Sequence, residues 1–521
     1  MLVSLMVITT AVTAVILVVF GNQGIRSDDE LNNIALYRTS EMIEKAKVDA
    51  ITDFNSVVNS TSSYDVFDGG LAVNDISPCR KDIAGSISWI GTASRSQNIY
   101  LNTSLISIEE ALALGGDCDL SGGPISQWWY PDTFKDYDLK TIEPPTEQSN
   151  NAGVPATSID VFRRNGSGSK YAVITTNHSG ENDVWIINVD DELNAFVASS
   201  LETTARGINN ADVVSNNIAG SFVYALTAGS TAIPSQFQVI NIGTITSPSL
   251  VATRSLDISS SDANFVPNAT AIFYYGGKIY IGTHRTGGKE FQIFRGVSPY
   301  DRLGSLEIDH NVNDIVVDGD YAYLATSDDG CMSPPCAPNS HAGELMIVNI
   351  NPDSPDYLVH PDITGTWYDA KSHFDATSLF LLGNKIYLGR VGGNYINSEA
   401  YNFLVLDISN PDSIILLGSK FIPDNNSPNK AAGIKALHIV SDFAFIATDV
   451  DSLDFQVYKI SNPSEILNCG ELSPPPYANC GKYNFPAKMT DLEFMDNFIY
   501  ASIESNATFR IIFDDTSRYG F

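Results

Sequence analysis

The chain has 521 residues, 30 Lys plus Arg against 61 Asp plus Glu, and a formal net charge of −31. Such an excess repels a phosphate backbone and excludes nucleic acid as a partner. The length allows about two to four domains of roughly 100–200 residues, or one large β architecture with an appendage. The low charged fraction and the wealth of Ser, Asn, Thr and Gly suit an extracellular surface.

Residues 1–20 contain no charged residue and no proline. As a helix this run rises about 30 Å, enough to span a bilayer. A secretory signal would carry a basic start and a small-residue cleavage site, yet the first basic residue is Arg26. The expectation is that Met1 is a processed N-terminus from which a short basic leader has been cut. The stretch GNQG at residues 21–24 weakens a helix, and Ser27-Asp28-Asp29-Glu30 fits a capping box. Beyond it Leu31, Ile34, Ala35, Met42, Ile43, Ala46, Ala50, Phe54, Val57 and Val58 recur at near-helical spacing. Residues 1–60 therefore predict one helix in two parts, apolar and then amphipathic, with a soft joint at 21–26.

That two-part helix, with ALYRTSEMIEKAKVDAITDF in its second half, resembles the start of type IV pilins and pseudopilins. The likeness extends over residues 1–130. The resemblance implies a helix that first anchors in the inner or cytoplasmic membrane and later packs with copies of itself in a filament core. Met1, Leu5, Val12, Ile16 and Phe20 would face that core. Leu5 stands where many bacterial pilins carry a Glu proposed to pair with a neighbour's N-terminal amine; some tip subunits and archaeal-type pilins also lack it. The competing reading of the segment is a single-pass anchor.

Residues 61–130 read as a small β-element. SISWIGTASRSQNIYLNTSL alternates like a strand pair with a short turn, and SIEEALALGG reads as a short helix ending at Gly115-Gly116. Trp128, Trp129 and Tyr130 suit packing between modules better than carbohydrate stacking. Residues 131–157 are rich in Pro and Asn and read as a linker.

From residue 158 to 521 one pattern recurs seven times: YAVITT, SFVYALTA, GKIYIGTH, YAYLATS, NKIYLGR, FAFIATD and NFIYASI. Each is preceded and followed by another apolar strand, and weaker fourth strands such as DSIILLGSKFI follow several. Seven repeats of about four strands are the signature of a seven-bladed β-propeller. The repeat LVLDISNPDS, and ISNP again at Ile460–Pro463, resembles LVIVD-type propeller repeats. The seventh repeat lacks a fourth strand. Ring closure predicts that a segment before Ser158, within 130–157, supplies it.

The cysteines are Cys79, Cys118, Cys331, Cys336, Cys469 and Cys480. They fall in three sequence-local pairs, and disulfides in an oxidising compartment are favoured over zinc, although sequence alone leaves the connectivity open. Asn59, Asn102, Asn165, Asn177, Asn268 and Asn506 stand in glycosylation sequons. Aligning the repeats at the start of the blades gives a polar ring of Ser158, Asn210, Asn268, Asn313, Asp375, Lys435 and Thr490. Asn210, Asn313, Asp375 and Lys435 are the candidate ligand contacts at the channel mouth. The competing reading is that these side chains satisfy strand ends. His310, His373 and His438 lie in different blades. No nucleophile elbow, P-loop or dinucleotide fingerprint occurs, so no catalytic residue and no cofactor are expected; calcium is the one cation the acidic turns approach.

The fold class expected is thus mainly β: a long N-terminal helix (1–60), a small pilin-like β-element (61–130), a linker with a ring-closing strand (131–157) and a seven-bladed propeller (158–521). The function expected is a non-enzymatic subunit of an extracellular, cell-surface filament. It polymerises through its helices and displays the propeller to surfaces, glycans or cells. The alternatives are a minor tip pilin or adhesin, and a membrane-anchored propeller enzyme or binding module.

Overall fold

The computed structural model describes residues 26–52, 54, 57–64, 66–77, 80–90, 96–107, 133–138, 155–164, 168–177, 182–203, 207–216, 220–227, 236–257, 268–285, 288–327, 343–359, 365–367, 374–392, 401–424, 427–440, 442–450, 454–468, 471, 482–483, 488–496, 498–504 and 508–513. The chain divides into two compact units, Met1–Ser121 and Gly122–Phe521. The apolar run with Met1, Leu5, Val12, Ile16 and Phe20, all six cysteines, and the segment SIEEALALGG apart from its first residue lie outside the described residues. No described helix is long and apolar enough to cross a membrane.

The first unit is a helix on a sheet. Helix α1 (Arg26–Thr52) precedes strands β1 (Ser60–Tyr64), β2 (Phe67–Ser77), β3 (Arg80–Ile90) and β4 (Ser96–Ile106), an antiparallel meander in sequence order. The helix ends at Thr52, earlier than the periodicity to Val58 implies. Ala35, Thr39, Ile43 and Ala46 fall on one helix face and are buried, as a 3.6-residue period requires. Thr39 is tolerated there because its hydroxyl donates to its own helix at the Ala35 carbonyl, 2.7 Å away. Along β3 the buried residues Ile83, Ile87 and Trp89 alternate with outward ones. Gly85 lies between them: a Cβ there would stand 3.1 Å from Thr39 Cγ2 and 3.2 Å from Ile43 Cγ1. Its bare backbone is what lets α1 approach the strand.

Among the described residues the second unit contains seven antiparallel blades, six of four strands and the sixth of five, because Lys482–Tyr483 also pairs with its third strand. Their innermost strands are Ala156–Arg163, Ile208–Asn216, Ala269–Tyr275, Val312–Asp318, Ala376–Leu382, Ile434–Val440 and Met489–Met495. Each packs on the next, and the seventh packs on the first, so the array is a closed ring. The seven recurrent sequence motifs form the second strand of each blade, and the strands after them form the third. Second and third strands are apolar on both faces because each blade is sandwiched between two neighbours. Val223, Tyr224, Ala225 and Leu226 are all 0% exposed. The fourth strands, such as Ile415–Lys420, carry the exposed positions Ile415 and Leu416 on the rim.

Among the described residues, blade 7 takes three strands from the C-terminal part of the chain. Its fourth is β5 (Thr133–Asp138), from the stretch read in sequence as a linker, paired antiparallel with Thr508–Phe513 from Thr508↔Asp138 to Phe513↔Thr133. Tyr137 stacks on Phe509 at 4.8 Å and joins a core with Trp185 of blade 1 and Tyr500 of blade 7. Arg510 and Asp136 form a two-point ion pair beside it.

Rim contacts repeat from blade to blade. In four blades the fourth strand hydrogen-bonds the turn between the third and fourth strands of the following blade. Ser199 donates to the Ile245 carbonyl, Arg254 to that of Pro299, and Lys420 to that of Ile466 at 3.0 Å. Tyr137 of β5 makes the equivalent bond to the Glu192 carbonyl in blade 1. The borrowed strand thus occupies the structural position of any other fourth strand.

Candidate functional site

The site is built from the first five residues of each innermost strand. In all seven blades the pairing register slips between the first and third residues. The second residue is thereby left over as a β-bulge, with its side chain free to reach sideways. These seven residues are Thr157, Asn209, Thr270, Asn313, Thr377, Lys435 and Thr490.

Six of the seven donate to the carbonyl of the first residue in the next blade's innermost strand. Thr157 reaches Ile208 O at 2.6 Å, Asn209 reaches Ala269 O at 2.9 Å, and Thr270 reaches Val312 O at 2.7 Å. Asn313 reaches Ala376 O at 2.6 Å, Thr377 reaches Ile434 O at 2.6 Å, and Thr490 reaches Ala156 O at 2.9 Å. The seventh position, between blades 6 and 7, is Lys435, which stays exposed. A ring of short donors therefore surrounds this end of the channel, interrupted once by a cation.

Deeper in the channel, the third and fifth residues share a strand face. They supply five carboxyl groups: Asp160, Asp212, Asp314, Asp491 and Glu493. Four of these accept a backbone N–H from a neighbouring blade. Asp160 accepts from Val213 at 2.7 Å, Asp314 from Leu379 at 2.9 Å and Asp491 from Ile159 at 3.1 Å; Asp212 accepts from Tyr274.

Each carboxyl keeps some open surface yet is crowded by protein on all sides. Burial is the first cause that pushes Asp212, Asp314 and Asp491 up to about 7, despite the N–H bonds that oppose it. Asp160 and Glu493 lie well above the usual carboxylate range. Burial leads there too, aided by Asp212 and Asp491 around Asp160, and by Asp160 and Asp491 around Glu493. Across the channel the fifth residues turn apolar: Phe273, Val316 and Phe380, then His438. The His438 ring is 7% exposed, 4.7 Å from Phe380 and 6.1 Å from Phe494. Its Nδ1 lies 3.8 Å from Glu493 Oε1. Burial pushes it down to about 3, so it is a neutral imidazole.

The sequence-derived ring maps onto this geometry unevenly. Asn313, Lys435 and Thr490 occupy the bulge position. Ser158 and Asn210 occupy the next residue, and Asn268 and Asp375 precede their strands. The amide of Asn210 is engaged with the Thr270 carbonyl at 3.0 Å, and that of Asn313 with Ala376. Of the candidate contacts Asn210, Asn313, Asp375 and Lys435, only Asn313 and Lys435 share a level. The five carboxyl groups escaped a reading that took one polar residue per blade. Their signal was the alternation in SID, NAD and DLE, polar at every second residue of a strand that is otherwise core, and the lone Asp314 ahead of IVV.

Among the His residues, His438 lines the channel, His310 lies before the innermost strand of blade 4, and His373 is outside the described residues. Among the sequons, Asn59 and Asn177 are exposed, and the side chain of Asn268 accepts from Asn209 at 2.8 Å. Asn165 and Asn506, and the side chain of Asn102, lie outside the described set.

No protein-family model matches the chain, and no curated protein matches it. Among solved structures, a computationally designed protein, Ika8, is similar at 10% identity and a TM-score of 0.41, covering 70% of this chain and 98% of its own. BamB from Moraxella catarrhalis gives 11% identity and a TM-score of 0.39, with 73% and 98% covered. YCF48, in a structure titled as bound to D1 peptide, gives 10% identity and 0.41, with 74% and 96% covered. Likeness at this level carries no argument, and the propeller fold rests on the closed ring of blades described above.

Proposed function

We propose that the chain is a structural subunit of an extracellular type IV pilus-like filament, which polymerises through its N-terminal helix and displays the propeller outward for adhesion. The observation that carries this reading is the arrangement around α1. One face of α1 is buried on a four-stranded meander, while Ile34, Tyr37 and Val48 are exposed on it. In sequence it follows, after the five residues 21–25, an uncharged apolar run long enough to span a bilayer. A helix built this way can leave the membrane for a bundle of like helices at little hydrophobic cost, since both surroundings are apolar.

In this reading the partners are other copies of the chain, and the membrane before assembly. The propeller's ligands are on surfaces, glycans or other cells, and the reading includes no catalytic step. Leu5 favours a minor tip subunit as the second form of the same proposal. Electron microscopy of material sheared from producing cells, with mass spectrometry of its composition and N-termini, tests it. Thin filaments made mainly of this chain support the main form, and filaments in which it is rare support the tip form. No filaments, with the chain retained in membranes, overturns both and leaves an anchored propeller.

A further inference from the structure

Tension between the two units reaches the propeller first at β5. The first unit ends at Ser121, and Thr133–Asp138 is the first propeller strand that the chain then forms. In the other six blades the fourth strand follows its own third strand and is tied to it by a turn. In blade 7 the two strands are remote in sequence: Asp136 and Arg510 stand 374 positions apart. The hold on β5 is therefore non-covalent. It consists of six residue pairs with Thr508–Phe513, the Arg510–Asp136 ion pair, the Tyr137 ring on Phe509 and the Tyr137 hydroxyl on the Glu192 carbonyl. Phe134 lies 4.7 Å from the Arg510 guanidinium and is 44% exposed.

The next strand along the chain is held differently. Ala156–Arg163 is the innermost strand of blade 1 and is bonded to both neighbours. Toward blade 7 its Ala156 carbonyl accepts from Thr490 and its Ile159 N–H donates to Asp491. Toward blade 2 Thr157 donates to the Ile208 carbonyl and Asp160 accepts from the Val213 N–H. The chain thus meets a rim strand held on one edge, then a central strand held on both sides, with residues 139–155 between them.

We propose that β5 is a force-released catch: tension between the units peels it from blade 7 before any other propeller strand moves, and the innermost strand of blade 1 then carries the load. The register sets the direction of the peel. Thr133, where the pull enters, pairs with Phe513, and Asp138 pairs with Thr508. Drawing Thr133 away from Phe513 opens the ladder from that end, one pair at a time, instead of shearing six pairs together. The partner strand stays in the blade, because its Phe509, Ile511 and Ile512 are 0% exposed. Release frees residues 133–155, at most about 80 Å of chain. The bonds between innermost strands do not involve β5, so the ring stays closed at its centre. Tethered at both ends, β5 remains at high effective concentration and returns when the tension falls. In a filament, one propeller would yield while others take up load. That consequence rests on the filament reading, whereas the catch follows from the topology alone.

The test is optical-tweezers pulling of the full chain in detergent, with handles fused to its two termini so that the pull draws Thr133 and Phe513 apart. The expected first yield of the propeller is a reversible step of no more than about 80 Å. Unfolding of the first unit from Arg26 to Ile106 would free about 280 Å and is told apart by its size. Asp136→Ala should raise the rate of the short step about tenfold at a given force. Tyr137→Phe, which keeps the ring and loses the hydroxyl, should raise it several-fold and serves if Asp136→Ala fails to fold. Thr490→Val, at the central stitch, should leave the short step unchanged. A propeller that yields only in longer steps, or a short step whose rate neither β5 variant changes, would overturn the proposal. Absence of filaments from sheared material would overturn the filament reading and leave this result standing.

Discussion

Thr490 Oγ1 donates to the carbonyl of Ala156 at 2.9 Å, joining blade 7 to blade 1 across 334 positions of sequence. It is the same bond that five other blades make to their neighbours, so the closing seam is chemically like the rest. What differs is the rim, where blade 7 borrows β5. There Arg510, 1% exposed, is paired with Asp136, 37% exposed, by a contact of 2.7 Å between Nη2 and Oδ2. Removing the carboxylate leaves the guanidinium buried beside Phe134. Asp136→Ala is expected to cost about 1–3 kcal/mol, less than a fully buried pair because Asp136 meets solvent. Urea denaturation measures it. A loss indistinguishable from zero would mean that β5 contributes little to holding the ring shut.

The ISNP turn, visible twice in the sequence, has a physical role at the rim. The turn at Pro463 of blade 6 lies against Gly418 in the fourth strand of blade 5, so close that a Cβ at Gly418 would overlap the Pro463 carbonyl. Gly418→Ala should therefore push two blades apart and destabilise the protein by about 1–3 kcal/mol or more. Gly70→Ala, whose nearest neighbour would be Ser60 O at an ordinary 3.6 Å, is the control expected to cost less. Equal thermal midpoints for the two variants would count against this account of the turn.

The blades were legible because each second strand must be apolar on both faces and there are seven of them. The missing fourth strand followed from closure alone: a ring with one short blade needs a donor, and the structure has Thr133–Asp138 in that place. The channel was harder to read. A bulge of one residue in every innermost strand shifts the polar positions, so Asn210 and Asn313 look equivalent by sequence but lie at different levels. Asp160, Asp212 and Glu493 fall inside hydrophobic strands, where a linear reading expects core. Only the closed ring shows that this face lines a channel.

Between blades 4 and 5, Arg390 and Glu344 form an ion pair in which both side chains are 0% exposed. The guanidinium also donates to the Tyr401 carbonyl at 2.7 Å and lies 5.5 Å from the Trp367 ring. Breaking such a pair by removing one partner strands a charge in low dielectric. Arg390→Met and Glu344→Gln are each expected to cost about 3–5 kcal/mol. The double variant should cost less than the sum of the two, because its single uncharged pocket holds no orphan ion. Strict additivity in denaturant unfolding would show that the two side chains do not act as a pair.

The channel carboxyls also set a pH dependence opposite to that of most acidic proteins. Asp212, Asp314 and Asp491 have folded values of about 7 against 3.8 unfolded, so the native state binds protons that the unfolded chain releases. Their contribution to stability is complete below pH 4 and is lost as pH rises through 7. His438 works the other way. Its value falls from 6.5 to about 3, so its contribution is present above pH 6.5 and is lost as pH drops. Three carboxyls outweigh one imidazole, and stability should decline from pH 5 to pH 8. Each proton retained in the native state is worth about 1.4 kcal/mol per pH unit at most, and partial access to channel water lowers that. Asp314→Asn should flatten the decline by up to one proton's worth, since it removes a titrating group while keeping an acceptor for the Leu379 N–H. Unfolding free energies across that range decide the matter. Stability that rises with pH, or a slope untouched by Asp314→Asn, would show that these carboxyls are ionised in the native channel.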